Sequence, residues 1–352
     1  MSPYKILICG CGGAGYYAAK TAVADGRGEV VGLFDPRQEQ RSKLAELYPV
    51  AVQGADYEAL LKQTQPDLVI IASPDHLHAD QAILALEHGS HVLVEKPLAT
   101  TVVDAQRILD TEARTGLQVM TDHTVRYMSP WKEMARLVQT GDIGRVFFVE
   151  GNYIHDMSAY YSAQGRSYTP WRVDQQNPQN ILLGGGCHPI DLMLWAVGER
   201  VTEVFAYSNK LSVPEFPSDD CYILLLKFEN EVMGKVFVTS GCSAQTLEGE
   251  IGGGYLAAYG VDGTLWRGKR YRRGEEPVAI DLDTAQTAVG GHGWGGSVVA
   301  FLDCLDGKTP NPIPARNGAR VVSVCEAALK AIQTGQPQKP EWFDTGVGKD
   351  ES

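Results

Sequence analysis

Three short stretches of this chain hold residue types that could do chemistry. In LVEKPLA, Leu93 to Ala99, a lysine stands between a glutamate and a proline at the end of the apolar run HVLV. A lysine in a cleft beside other charges can have its proton affinity tuned for acid–base work. Glu95 could pair with Lys96 or touch a bound ligand. Pro97 fixes the turn, and a cis peptide bond there would aim Lys96 into the cleft. Without neighbours, the same tripeptide reads as a solvent-facing turn. In LGGGCHPIDLMLW, His188 and Asp191 lie three apart at the expected start of a helix, so both can face one direction. They read either as a reactive pair or as a packed histidine with an aspartate favoured by the first helical turn.

The third stretch is CGCGGAGYYAAK. Gly10, Gly12 and Gly15 fit G-x-G-x-x-G between a predicted strand and a predicted helix. Gly10 permits the tight turn, Gly12 lets the backbone approach a pyrophosphate, and Gly15 lets helix and strand pack closely. The helix N-terminus offers unpaired N–H groups and a positive dipole end to that anion. In a chain with 38 glycines the pattern alone is weak. Asp35 strengthens it, because it ends VVGLFD twenty residues past Gly15. A carboxylate there accepts from the ribose 2′-OH and repels a 2′-phosphate, which favours NAD over NADP. Arg37, two residues on, would offset that repulsion or stack on adenine, so NADP stays in play. In ASPDHLHAD, Ser73 and His78 could touch the cofactor, or Ser73 or Asp75 could simply cap the helix that follows. The expected dinucleotide-binding set is Gly10, Gly12, Gly13, Ala14, Gly15, Asp35, Arg37, Ser73, Pro74, His78, Glu95 and Lys96.

Positioning these residues requires a sheet whose strands all end on one edge. From residue 4 to about 122, the short apolar runs YKILICG, EVVGLFD, DLVIIAS, HVLVEKP and QVMTDH alternate with helix-like segments such as HADQAILALEHG, where Gly89 can end the helix. Near-continuous apolarity suits parallel strands buried on both faces. Alternating β and α units imply a doubly wound sheet. After residue 123, PWKEMARLVQTGDIG reads as one more helix. The longer runs RVFFVEGNYIH, VTEVFAYSNKL, CYILLLKF, VMGKVFVTS and LWRGKRYRR then suit an open, mostly antiparallel sheet with one face covered. ARVVSVCEAALKAIQTG is a late helix. The expected division is 1–122 for a dinucleotide-binding domain, 123–336 for a substrate-binding and oligomerisation domain, and 337–352 for a polar tail that wraps or frays.

Composition narrows the function classes. With 352 residues the chain is longer than one comfortable core. Its 44% hydrophobic and 21% charged residues are ordinary globular proportions. A formal charge of −12 with no basic run argues against nucleic acid and anionic membranes as partners. No apolar run reaches membrane length. Seven cysteines without metal-type spacing read as free thiols in a reducing cytoplasm, and no metal site is expected.

Together, GCGGAG, ASPDHLHA, VEKPLA and GGCHPID resemble the glucose–fructose oxidoreductase/inositol dehydrogenase/MocA superfamily. HTVRYMSPWKEMARLVQTGDIGRVFFVEG and RNGARVVSVCEAALKAIQTGQP are similar to its expected segments, so the match spans the chain. The resemblance implies an N-terminal Rossmann domain and a C-terminal α/β domain with a large, mostly antiparallel sheet. It implies NAD(P)-dependent chemistry on sugars, cyclitols or related polyols, with the catalytic lysine at Lys96. In that family the second segment usually reads D-x-G-x-H-x-x-D, its histidine catalytic or substrate-binding. Gly186, His188 and Asp191 match, but the first aspartate is Gly184 here. That departure removes a carboxylate, which Asp156, Asp174 or Asp191 could supply from elsewhere. Arg126, His155, Trp171, Arg172 and Asp191 are expected to shape a hydroxyl-rich substrate pocket.

The expected reaction is reversible hydride transfer between a ring carbinol and nicotinamide, with Lys96 and His188 sharing the proton. The alternative is a redox-neutral lyase or glycoside-cleaving enzyme that uses tightly held NAD for transient oxidation. The resemblance also implies a homodimer or homotetramer built through the C-terminal sheet, whose open face is expected to expose Phe147, Val149, Leu224 and Leu226.

Overall fold

The structure is a computed structural model that describes residues 2–49, 51–165, 167–213, 216–242, 254–280 and 293–343. The first unit alternates strand and helix: β1 (Tyr4–Cys9), α1 (Gly13–Ala24), β2 (Gly28–Phe34), α2 (Gln38–Ala45), β3 (Val52–Gly54), α3 (Tyr57–Thr64), β4 (Leu68–Ile71), α4 (His78–Glu87), β5 (His91–Glu95), α5 (Val102–Thr115) and β6 (Val119–Asp122). Its six strands are parallel, in the order β3-β2-β1-β4-β5-β6. This is the Rossmann arrangement. The order reverses between β1 and β4, and such a switch point opens a crevice at the C-terminal strand ends. Ile6, Leu7, Ile8, Val69, Ile71, Val92 and Val94 are buried, as expected for strands covered on both faces.

The chain continues through α6 (Trp131–Gln139), β7 (Val146–Ile154), α7 (Ser158–Tyr161), α8 (Cys187–Val197), β8 (Val201–Asn209), β9 (Cys221–Phe228), β10 (Met233–Thr239), β11 (Ala257–Gly260), β12 (Thr264–Trp266), β13 (Lys269–Tyr271), β14 (Val278–Ala279), α9 (Trp294–Leu305) and α10 (Ala315–Thr334). The second sheet runs β14-β13-β12-β11-β7-β10-β9-β8. Its neighbours pair antiparallel except β7 and β10, which run parallel. The stretch LWRGKRYRR is not one strand. Arg267 and Gly268 both take positive φ, 50° and 67°, and turn it into the β12–β13 hairpin.

The open face also differs from the expectation. Val149, Leu224 and Leu226 point inward to the core beneath α8 and α10, and all three are buried. Of the four expected residues only Phe147 is exposed, and the outer face instead carries Tyr207 (65% exposed), Ile223, Leu225 (54%) and Met233. β9 is apolar on both faces, so its alternation could not say which face was covered.

The C-terminal helices return to the first sheet. Val298, Phe301 and Leu302 of α9 pack with Ala18, Ala19 and Ala22 of α1. Arg27 reaches Asp303 and Asp306 across the same contact, both at 2.8 Å. Ala315 and Ala319 of α10, with Phe343 of the tail, pack into the other layer of the Rossmann core. The segment 123–336 therefore builds two cores. All seven cysteines are free thiols. Among the described residues, no helix is long and apolar enough to cross a membrane.

Candidate active site

The glycine loop after β1 is shaped by close backbone contacts. Gly10 takes φ +100°, and a Cβ there would come within 2.4 Å of the Ala72 carbonyl oxygen on the loop after β4. A Cβ on Gly15 would stand 2.1 Å from the Gly10 carbonyl oxygen. Beyond Gly12 and Gly13 a Cβ would meet nothing within 4 Å, so the loop faces open space. Gly12 caps α1 without a side-chain acceptor, which leaves the first N–H groups, those of Gly13 and Ala14 among them, to an incoming anion. Buried Asp35 accepts from the Cys11 N–H at 3.1 Å and the Arg37 N–H at 2.9 Å, so its carboxylate is anchored to the loop. Arg37 Nε lies 3.5 Å from the same carboxylate with its side chain mostly exposed, and Arg41 donates to the Asp35 carbonyl. These residues fit a dinucleotide: an open amide cradle for the pyrophosphate and an aimed carboxylate for the ribose hydroxyls.

His78 does not face that cradle. It is 1% exposed, with Nδ1 2.7 Å from the Pro97 carbonyl oxygen and Nε2 3.0 Å from that of Ser73. The expected cofactor contact gives way to a clamp that ties the loop after β4, with Ser73 and Pro74, to the loop carrying Lys96. The Ser73 hydroxyl is engaged by Gln81.

Lys96 ends β5 on the ligand edge, and the Lys96–Pro97 bond is cis. Its ammonium does not pair with Glu95. Glu95 accepts from the Lys96 backbone N–H at 3.1 Å and from the Trp294 indole N–H at 3.0 Å. Trp294 stacks on Tyr17 of α1, with ring centres 4.9 Å apart. Lys96 Nζ instead donates to the Gly184 carbonyl at 2.7 Å. That carbonyl belongs to a π-helical turn, Leu182–Gly186, which runs straight into α8. In a π register the carbonyl of residue 184 would look to the N–H of residue 189, and Pro189 has none. Glycines make the turn possible, since a Cβ on Gly185 would lie 2.4 Å from the Tyr153 ring and one on Gly186 2.8 Å from Val238.

His188 follows Gly184 by four residues, about one helical turn. Its ring lies 5.7 Å from that of Tyr255 and 6.2 Å from that of Tyr153. His155 stacks on Tyr153 at 4.1 Å, with Nε2 3.4 Å from the Tyr255 hydroxyl. His155, Tyr153, Tyr255 and His188 thus form one aromatic wall. Burial pushes the Cys187 thiol up to about 12; the Lys96 charge opposes this, and Asp75, Asp191 and Glu95 add to it. Those four charges therefore lie within field range of the start of α8.

Arg126 and Asp191, both expected to touch substrate, are engaged with each other. The guanidinium donates to the carboxylate through Nε at 2.8 Å and Nη2 at 2.6 Å, and both residues are buried. Trp195 covers Arg126, its ring centre 5.1 Å away. The pair forms the floor behind His188.

Arg172 and Trp171 lie on the other side of the π turn. Arg172 stacks over Trp171 at 4.8 Å and Tyr160 at 5.6 Å, and donates to the Gln179 side-chain carbonyl. Gln179 Nε2 donates to Asp75 at 3.2 Å. A Cβ on Gly184 would lie 2.4 Å from that Nε2, so the Gln179 amide fills the space where the family's usual aspartate would project. Asp156 instead accepts from Ser158, and Asp174 from the backbone of Gln176 and Asn177.

Gln179, Trp294, Asp122 and His123 belong to this neighbourhood but carry no motif. Burial, with Glu95 alongside, pushes the Asp122 carboxyl well above its usual range, while Ser297 and Lys96 pull the other way. Burial pulls His123 down to about 4; Asp191 opposes the shift, and Arg126 and Lys96 deepen it. The only signal for these two was position, directly after the last strand on the ligand edge.

A parallel sheet in this strand order, with an open amide cradle at its switch point, defines a dinucleotide-binding Rossmann protein. Residues 4–123 match the family model "Oxidoreductase family, NAD-binding Rossmann fold", and residues 131–265 match "GFO/IDH/MocA C-terminal domain". The chain belongs to the Gfo/Idh/MocA family. Inositol 2-dehydrogenase 2 of Saccharopolyspora erythraea is 27% identical over 340 residues, 94% of this chain and 93% of that protein. The 1-carboxy-3-chloro-3,4-dihydroxycyclohexa-1,5-diene dehydrogenase of Comamonas testosteroni is 28% identical over 238 residues, 66% of this chain and 57% of that one. The chain spans only about half the length of some curated relatives it matches, 42% and 57% of two of them. The WlbA dehydrogenase from Bordetella pertussis, solved with NADH and UDP-GlcNAcA, shares the fold with a TM-score of 0.82 at 21% identity, covering 97% of this chain and 99% of that one.

Proposed function

We propose that this chain is a dehydrogenase that uses NAD, in preference to NADP, to oxidise a ring hydroxyl of a sugar, cyclitol or related polyol, or runs that reaction in reverse. Bound NAD supplies the hydride acceptor. The chain's own residues have to orient the carbinol, move its hydroxyl proton and shield the site from water. Lys96 and His188 are assigned the proton and act as a coupled pair. One Lys96 N–H is spent on Gly184, and the ammonium has two more to offer a substrate oxygen. The observation that carries this reading is that 2.7 Å bond, which ties the EKP lysine to the turn leading into His188. The inositol dehydrogenase relative favours a ring alcohol as the reacting group. The apolar residues on the open face of the second sheet support a homodimer or homotetramer formed through it.

The test is to incubate the purified protein with NAD, and separately NADP, across polyols, aldoses and glycosides. Nicotinamide absorbance and product are followed together. NADH should accumulate with a polyol or sugar, faster than NADPH. Product formed without net reduction would replace this reading with the redox-neutral one, in which Gly184 in place of the family aspartate would matter most. No turnover of any kind, with NAD bound, would reject both.

A further inference from the structure

Four of the buried and half-buried arginines are held by acids: Arg27 by Asp25, Asp303 and Asp306, Arg126 by Asp191, and Arg270 and Arg272 by Asp142. Arg172 is not. Among the described residues its hydrogen-bond partner is a neutral amide, the Gln179 carbonyl, and no carboxylate lies within ion-pair distance. Among the described residues Nη2 has no partner, and Nε is buried without an acceptor. The half-buried guanidinium is fixed by the Trp171 and Tyr160 rings and by a closed loop in which the Gln179 N–H returns to the Arg172 carbonyl at 3.1 Å. It adjoins the candidate site, because the same Gln179 amide touches Gly184, whose carbonyl holds Lys96. The Gln179 amide lies between Arg172 and Gly184, and it also separates Arg172 from Asp75.

We infer that the substrate of this site carries a carboxylate, a uronic or other sugar acid, and that Arg172 receives it on its Nη2. A hydrogen bond from a guanidinium N–H to a carboxylate is charge-assisted, shorter and stronger than one between neutral groups. Stacking on Trp171 and Tyr160 holds the fork in place before the ligand arrives, which lowers the ordering cost of binding. Gly184 serves the same end. With no side chain there, no carboxylate of the protein reaches Arg172 to neutralise it. The inference rests on the dehydrogenase reading and refines its substrate class.

The test uses matched pairs: methyl glucuronides and galacturonides, in both anomers, against the neutral methyl glucosides and galactosides. Glucose 6-phosphate provides a phosphate arm. Binding to the NAD-loaded full chain is measured by calorimetry, and NADH formation in parallel. At least one uronide should bind ten-fold or more tighter than its neutral partner. Arg172→Gln should cut that preference at least ten-fold, and Arg172→Lys should keep part of it, holding the charge without the fork. Equal or better binding of the neutral sugars, a preference for phosphate alone, a preference that survives in R172Q, or no binding at all would overturn the inference. If a uronide binds through Arg172 yet no NADH forms, the inference stands and the dehydrogenase reading falls. If neutral sugars alone reduce NAD, the dehydrogenase reading stands and the inference falls.

Discussion

Arg126 and Arg172 approach the start of α8 from opposite sides, one from the loop after β6 and the other from the loop ahead of the π turn. Arg126 places two hydrogen bonds, 2.8 and 2.6 Å, on buried Asp191 and is covered by Trp195. Arg172 gives one hydrogen bond to a neutral amide and leaves Nη2 without a partner. A buried guanidinium costs so much to desolvate that it is tolerated only when paired in full. A half-buried one held by aromatic faces keeps its charge for use. The first arrangement builds a floor and the second offers a binding group, although the two residue types are the same.

Four experiments break or sharpen that contrast. The largest effect should come from Arg126→Ala, which strands the Asp191 carboxylate in the core and should cost about 3–5 kcal/mol in urea unfolding. Replacing both partners with apolar residues, Arg126→Met with Asp191→Leu, should cost far less. Equal losses would mean the pair is not the unit of stability. Next comes acid. His123 sits against the same floor, 3.8 Å from Asp191, and burial keeps it neutral down to about pH 4. The unfolded chain takes that proton near pH 6.5, so between about 6.5 and 4 it binds more protons and stability falls as pH falls, by up to ~3 kcal/mol. Neighbouring Asp122, its pKa raised, has the opposite sign: its contribution is present at low pH and lost as pH rises. The difference between wild type and His123→Asn isolates the histidine, and the wild type should lose ground to the variant steadily below pH 6.5. A difference flat with pH would mean that His123 is solvated in the folded protein.

Smaller effects belong to the Arg172 side. Gly184→Asp drives the Gln179 amide from its place and costs about 1–2 kcal/mol, partly regained with Gln179→Ala in the same chain. Its carboxylate should also neutralise Arg172 and erase any preference for acids. Arg172→Ala strands the buried Gln179 oxygen but breaks no ion pair, so it should cost about 1–2 kcal/mol, less than Arg126→Ala. A loss as large as that of Arg126→Ala would make Arg172 structural and end the comparison.

How much of this was legible in the sequence follows from the range of each interaction. The glycine loop, Asp35, the EKP turn and the α8 start are local patterns, where backbone conformation ties residue type to spacing. The parallel sheet followed from buried apolar runs. The Arg126–Asp191 pair joins residues 65 apart in sequence, and nothing local says that two candidate substrate ligands satisfy each other. His78 read as a cofactor contact because its two carbonyl partners belong to separate loops. The return of α9 to α1 was invisible for the same reason, since a helix's apolar face does not name its partner. Gln179 had no signature at all. The missing aspartate at Gly184 was visible, but the amide that fills the gap comes from a loop five residues earlier.

We propose Lys96 as the proton-handling group of the site. The direct measurement is Lys96→Met in the full chain, with NAD affinity from calorimetry and single-turnover hydride transfer on whichever substrate the wild type accepts. Transfer should fall by about 10²–10⁴-fold while NAD affinity changes by less than about ten-fold. Full-rate transfer in that variant, with NAD bound as before, would contradict the account.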